Sequence, residues 1–158
     1  MSTPPSMMQA TDFKRPESVL VLVYTRDGQV LLLERQQPEG FWQSVTGSLN
    51  WDETDPLQAA IRELREETGI IAEPRATGLE NVFPILPEWR YRYHPEVTEN
   101  RETVFALQLD SQCKIQLNAE EHRRYEWLEP SAAMQRCSSW TNSQAIELLI
   151  LNAAQGGR

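Results

Sequence analysis

Cysteine is scarce: Cys113 and Cys137 are the only two in 158 residues. They stand far apart and in no metal-like spacing, so a disulfide framework is not expected, and two reduced thiols suit a cytoplasmic protein. Positive charge is short as well. Lys and Arg number 15 against 23 Asp and Glu, a net charge of -8. That argues against a nucleic-acid polymer as partner, because such binding depends on many cationic contacts to phosphates. A small polyphosphate stays open, since a bound divalent cation can supply positive charge locally. Long apolar runs are missing too. Nothing approaches the roughly 20 residues that cross a bilayer, so no membrane partner is expected, and the opening MSTPPSMMQAT lacks the basic and apolar stretches of a secretory signal. Repeats and low-complexity stretches are also lacking. What remains, 40% apolar and 24% charged residues, is the composition of one ordinary domain able to bury a core without staples. The expected division is a tail over residues 1–13, a domain over 14–154 and a short tail over 155–158.

The most informative segment is GSLNWDETDPLQAAIRELREETGI, from Gly47 to Ile70. Pro56 suits the first turn of a helix, Thr54 or Asp55 its cap and Gly69 its stop, which predicts a helix from about Pro56 to Thr68. At about 100° per residue, Glu63, Glu66 and Glu67 share one flank. Leu57, Ala60, Ile61, Leu64 and Thr68 form an opposing stripe suited to packing on a sheet, and Arg62 and Arg65 lie off the acidic arc. Like charges at Glu63 and Glu67, four residues apart, cost an isolated helix about 0.2–0.5 kcal/mol, and Glu66 crowds them further. A cation removes that cost. Carboxylates with positions left for water and phosphate are what Mg²⁺ selects. The plain alternative is a solvated acidic face with Glu66 paired to Arg62.

The rest of the chain reads mainly as strands. Ser18 to Thr25 and Val30 to Gln36 are apolar runs around Asp27-Gly28, a hairpin signal, and are predicted to be adjacent and antiparallel. Residues 40–46 lead to Gly47, whose missing side chain lets the backbone turn and approach a ligand. Gly78 to Ile85, Arg90 to Val97 and Glu102 to Leu109 are strand candidates, with Pro84 and Pro87 implying an irregular loop. Tyr125 to Leu128 predicts a short strand and Ser131 to Arg136 a short helix. Thr141 or Asn142 would cap a final helix that packs Ala145, Ile146, Leu148, Leu149 and Ile150 on the sheet. This order predicts an α/β domain with a mixed sheet between helices.

The string from Arg62 to Ile70 resembles the signature of the Nudix hydrolases: a glycine, a glutamate six residues on, then Arg-Glu-apolar-x-Glu-Glu-x-Gly-apolar. The second half matches throughout. The first half is one residue longer, so the early glutamate is Glu53 counted from Gly47, whereas Thr54 stands there counted back from Arg62. KRPESVLVLVY, FWQSVTG, RYHPEVTENRETVFAL, EEHRRYEWLEP and SSWTNSQAIELLI are similar to the bacterial members that act on dihydroneopterin triphosphate, and together they run from Lys14 to about Ala154.

The resemblance implies a Nudix-type α/β/α sandwich. It implies a pyrophosphohydrolase of folate biosynthesis that needs Mg²⁺, with Mn²⁺ as a substitute, and that converts a small-molecule triphosphate to monophosphate and pyrophosphate. It further implies Glu63, Glu66, Glu67 and Gly47 as metal-site residues, with Glu66 sharing that task or accepting a proton, and Arg62 orienting the carboxylates. Glu121 would be a further acidic ligand or base, with Glu120 adjacent in register. His122 is able to act as a base, although a lone histidine beside two arginines is more often a loop contact. Lys14 and Arg35 would meet phosphate, and Thr46 and Ser139 would offer hydroxyls. Phe83, Pro84, Ile85 and Leu86 would line a ring pocket. Trp42, Trp140, Phe83 and Tyr93 are able to stack on a flat ring, although core packing is the commoner fate of such residues. Two other readings stay open, a nucleotide-pool triphosphate hydrolase and a non-catalytic sensor; the intact Arg62 to Glu67 string argues against the second.

Overall fold

In the computed structural model, residues 9–153 are described. The expected C-terminal tail and most of the N-terminal one lie outside them, and within the latter Ala10–Asp12 forms a 3-10 turn. β1 (Glu17–Thr25) is apolar without a break from Val19 to Val23 because both of its faces are covered there. Val19, Val21 and Val23 face one layer and Leu20, Leu22 and Tyr24 the other, the alternation that a strand imposes.

Around β1 stand β2 (Val30–Arg35), β3 (Trp42–Gln43), β4 (Val45–Ser48), β5 (Arg75–Pro84), β6 (Glu99–Leu109) and β7 (His122–Leu128), a seven-stranded mixed sheet. β1 pairs in parallel with β6, from Glu17 opposite Arg101 to Thr25 opposite Leu109, and β5 lies antiparallel on the far side of β6. On the other edge the predicted hairpin opens: β1 and β2 are in register at Tyr24 and Val30, after which β1 turns to β4 and β2 to β3. β7 pairs along β2.

One face is covered by α1 (Pro56–Thr68), whose bounds agree with the sequence reading. The Asp55 carboxylate accepts from Leu57 N at 3.0 Å, and Gly69 ends the helix in the left-handed region at φ 80°. Ala59, Ala60 and Leu64 pack with Val19, Val21 and Phe105. The opposite face takes α2 (Pro130–Arg136) and α3 (Trp140–Ile146), the latter continuing as a π-helical turn over Glu147–Leu151. Ser139 precedes α3; Thr141 and Asn142, the expected caps, lie within it and are buried. Ala145, Ile146 and Ile150 pack with Leu20, Leu22 and Val104, whereas Leu148, also expected on the sheet, is exposed. The result is an α/β/α sandwich.

Residues 90–97 form no strand. β5 and β6 pair directly with each other, and the segment between them serves as their connection. Pro87, with its fixed φ and no N–H, opens a 3-10 turn over Pro87–Arg92, and the chain then bends back with Val97 N donating to His94 O. No helix among the described residues is long and apolar enough to cross a membrane. Both cysteines are free thiols.

Candidate active site

The site begins where α1 meets β4. Gly47 lies within β4 and its φ is not positive, so its missing side chain does not serve the turn that the sequence suggested. It serves a close approach: a Cβ there would overlap the Glu63 carboxylate, which therefore lies against the strand. Gly47 itself offers only a carbonyl as a ligand atom.

Arg62 leaves the helix off the acidic arc, but its long side chain brings the guanidinium back among the carboxylates. It donates to both oxygens of Glu53 at 3.0 and 2.9 Å, to Glu63 Oε1 at 2.7 Å, to Glu66 Oε2 at 3.2 Å and to the Ser48 carbonyl at 3.0 Å. The extra loop residue thus leaves Glu53 as the partner of Arg62, while Thr54 N donates to Gln58 at the start of α1. Hydrogen bonds from Arg62 hold the Glu53 carboxyl below its ordinary range. Burial raises Glu63, with the hydrogen bond and charge of Arg62 pulling the other way. Glu66 is half exposed, at the rim.

Glu67 is the buried member, 1% exposed, and neither of its oxygens has a hydrogen-bond partner. Burial, and after it the Glu63 and Glu121 carboxylates, push it well above the usual carboxylate range. His122 opens β7 and is equally buried, both ring nitrogens unpartnered, with Nε2 3.4 Å from Glu67 Oε1. Burial, assisted by the charge of Arg35, lowers its pKa to about 4, so the imidazole is neutral. Glu121 completes the group: one ligand atom from each of Glu67, Glu121 and His122 lies within 4.8 Å of the others. Glu120 is exposed and outside that cluster. Each unsatisfied buried group costs about 1–3 kcal/mol, and carboxylates beside a neutral imidazole are a donor set that a divalent cation satisfies. His122, read from sequence as a loop contact, is thus part of the site. Its one sequence signal was its place beside Glu121.

A cleft adjoins these groups. Lys14, Arg35, Thr46 and Gly47 line one part of it, and Lys14 feels the charge of both Glu63 and Glu121. Burial, then Arg92 and Arg35, lower the Lys14 pKa. Its ammonium stands 5.7 Å over the Tyr93 ring, while Arg35 stacks on Trp89 at 5.4 Å and donates to Gln37 O. Another part is lined by Phe83, Pro84, Ile85 and Leu86 at the end of β5, and by Ser139 and Trp140. Trp140 is 58% exposed and meets Phe83 edge-on at 6.5 Å. Trp42, by contrast, is a core residue flanked by Arg124 and Arg136, and Tyr93 is buried at the cleft wall.

Comparison with known proteins agrees with this architecture. The chain is 43% identical over 148 residues to the dihydroneopterin triphosphate diphosphatase of Escherichia coli (strain K12), covering 90% of this chain and 97% of that one. It is 38% identical over 152 residues to the enzyme of that name from Haemophilus influenzae, covering 92% of each. The solved structure of the E. coli dihydroneopterin triphosphate pyrophosphohydrolase superposes with a TM-score of 0.83 at 41% identity, over 89% of this chain and 99% of that one. The model of the NUDIX domain matches residues 14–149, and with relatives of this identity along almost its whole length the chain belongs to the Nudix hydrolase family.

Proposed function

We propose that the chain hydrolyses dihydroneopterin triphosphate to the monophosphate and pyrophosphate, with Mg²⁺ as its cation and Mn²⁺ as a substitute. The observation that carries this reading is the end-to-end likeness to two bacterial enzymes named for that substrate. Nudix hydrolases use divalent metals, and the donor groups present fit one. Glu63, Glu67 and Glu121 would hold it beside the neutral His122, and Glu66 would share the task from the rim or take up a proton. A divalent cation so held supplies positive charge for the phosphate oxygens and eases ionisation of the attacking water.

The chain's own groups do the rest. Arg62, fixed by Glu53 and the Ser48 carbonyl, keeps Glu63 in place. Lys14 and Arg35 bring cationic charge to the triphosphate, Arg35 with the planar fork that suits phosphate oxygens. Thr46 and Ser139 offer hydroxyls along the cleft, and the stretch from Phe83 to Leu86 with Trp140 offers a flat apolar wall for a ring.

Steady-state kinetics with pyrophosphate detection tests the assignment. The expected kcat/KM for dihydroneopterin triphosphate exceeds those for dGTP, dATP and 8-oxo-dGTP by at least about tenfold, the discrimination that about 1.4 kcal/mol of differential transition-state binding gives. An equal or higher value for a purine nucleotide would leave the hydrolase standing and discard the pterin.

A further inference from the structure

β6 directs Asn100, Glu102 and Val104 to the face that α3 covers. Glu102 is out of place there by ordinary rules. It is 4% exposed and lines the cleft, yet its neighbours are uncharged: the Asn81 amide donates at 3.5 Å, and the Thr141 side chain lies beside it. Burial pushes its carboxyl up. Two residues back, Asn100 donates its amide N–H to Ser18 Oγ at 2.7 Å, while its Oδ1 is buried with no partner. A buried carboxylate without a cation costs several kcal/mol, and holding α3 to β6 needs no charge, since a Gln would bridge Asn81 and Thr141 as well. The inner cleft therefore presents a buried carboxylate and an unpartnered amide oxygen in the same cavity that Phe83 and Trp140 line.

The complement of that arrangement is a flat ring with two N–H donors side by side. We propose that Glu102 reads the amino-pyrimidinone edge of the substrate ring, its two oxygens accepting from the ring N–H and the exocyclic amino group, with Asn100 Oδ1 accepting a further N–H. The proposal rests on the cleft being the substrate site of the pyrophosphohydrolase described above. It does not depend on which ring is native, because pterin and guanine share this edge.

Three measurements test it. Wild-type enzyme should prefer dGTP over dITP, which lacks the exocyclic amino group, by at least about tenfold; no preference would overturn the proposal without any variant having to fold. Glu102→Gln keeps the shape but sets an N–H against a donor. It should lower kcat/KM for dihydroneopterin triphosphate and dGTP by about a hundredfold, leave dATP within about threefold and leave the melting temperature undiminished. Fluorescence titration with neopterin should show the same weakening apart from turnover. An equal loss on all three triphosphates, or unchanged neopterin binding, would make Glu102 a structural residue and end the proposal. Collapse of the dGTP to dATP ratio in a protein that rejects dihydroneopterin triphosphate would uphold Glu102 and discard the pterin substrate instead.

Discussion

Glu67 is a carboxylate buried against the interest of the fold. Its carboxyl is raised by burial and by the charges of Glu63 and Glu121, so in metal-free protein it stays protonated after its counterpart in the unfolded chain has ionised. Its contribution to stability is therefore present below the ordinary carboxylate pKa and lost as pH rises through its own. His122 acts in the opposite sense. Lowered from 6.5 to about 4, it favours the fold above the first value and loses that contribution as pH falls through the second. Glu67→Gln removes the first burden together with a ligand charge. At pH 8 in EDTA the variant should melt about 2–4 °C above wild type, the shift that about 1 kcal/mol gives in a domain of this size, while turnover with Mg²⁺ drops by several decades. A lower melting temperature, or half of normal activity, would remove Glu67 from the metal site. Gly47→Ala separates the same two properties differently. The added Cβ displaces the Glu63 side chain from its Cγ outward, so activity should fall at least about a hundredfold while the protein still folds; normal turnover in this variant would show that the seating of Glu63 is unimportant.

Among the elements, α1 was readable to the residue because its start and stop signals are local: Asp55 caps, Pro56 opens and Gly69 adopts the one conformation a side chain resists. Asp55→Ala should cost about 1 kcal/mol in chemical denaturation and leave kcat almost unchanged, since Glu63 lies two turns further on; a kcat loss larger than tenfold would mean that the cap holds the site. Where legibility failed, the deciding partner was distant in sequence. Residues 90–97 have strand-like composition, but they fall in the connection between β5 and β6, which pair with each other, and Pro87 opens a 3-10 turn there. β3 and β4 are too short to show a period. Loop register between Gly47 and the helix was settled by the reach of Arg62 to Glu53, which no count along the chain gives. His122 and Glu102 read as ordinary polar positions until the pairing of β7 with β2, and of β6 with β1, decided which side of each strand is covered.

At the scale of the whole molecule, the string from Arg62 to Glu67 was visible because acidic residues on one flank of a helix are a local pattern, whereas the cleft beside it is assembled from β4, the end of β5, the 3-10 turn, β6 and α3 and exists only in the fold. The chain carries a net charge of -8, yet Lys14, Arg35 and Arg92 gather along this one cleft, an arrangement that would draw an anionic substrate where the overall field would not. The parallel pairing of β1 with β6 has a consequence of another kind, for how the protein is made. Once Ser48 has left the ribosome, β1 can find β2 and β4, but its other edge waits for Leu109, roughly sixty residues later and about 3–12 s at usual elongation rates. Throughout that interval Val19 to Val23 offers an unpaired, apolar backbone edge, the kind of template on which sister chains pair. Soluble yield is therefore sensitive to how densely ribosomes load the message, and to whether a chaperone covers β1 before β6 arrives.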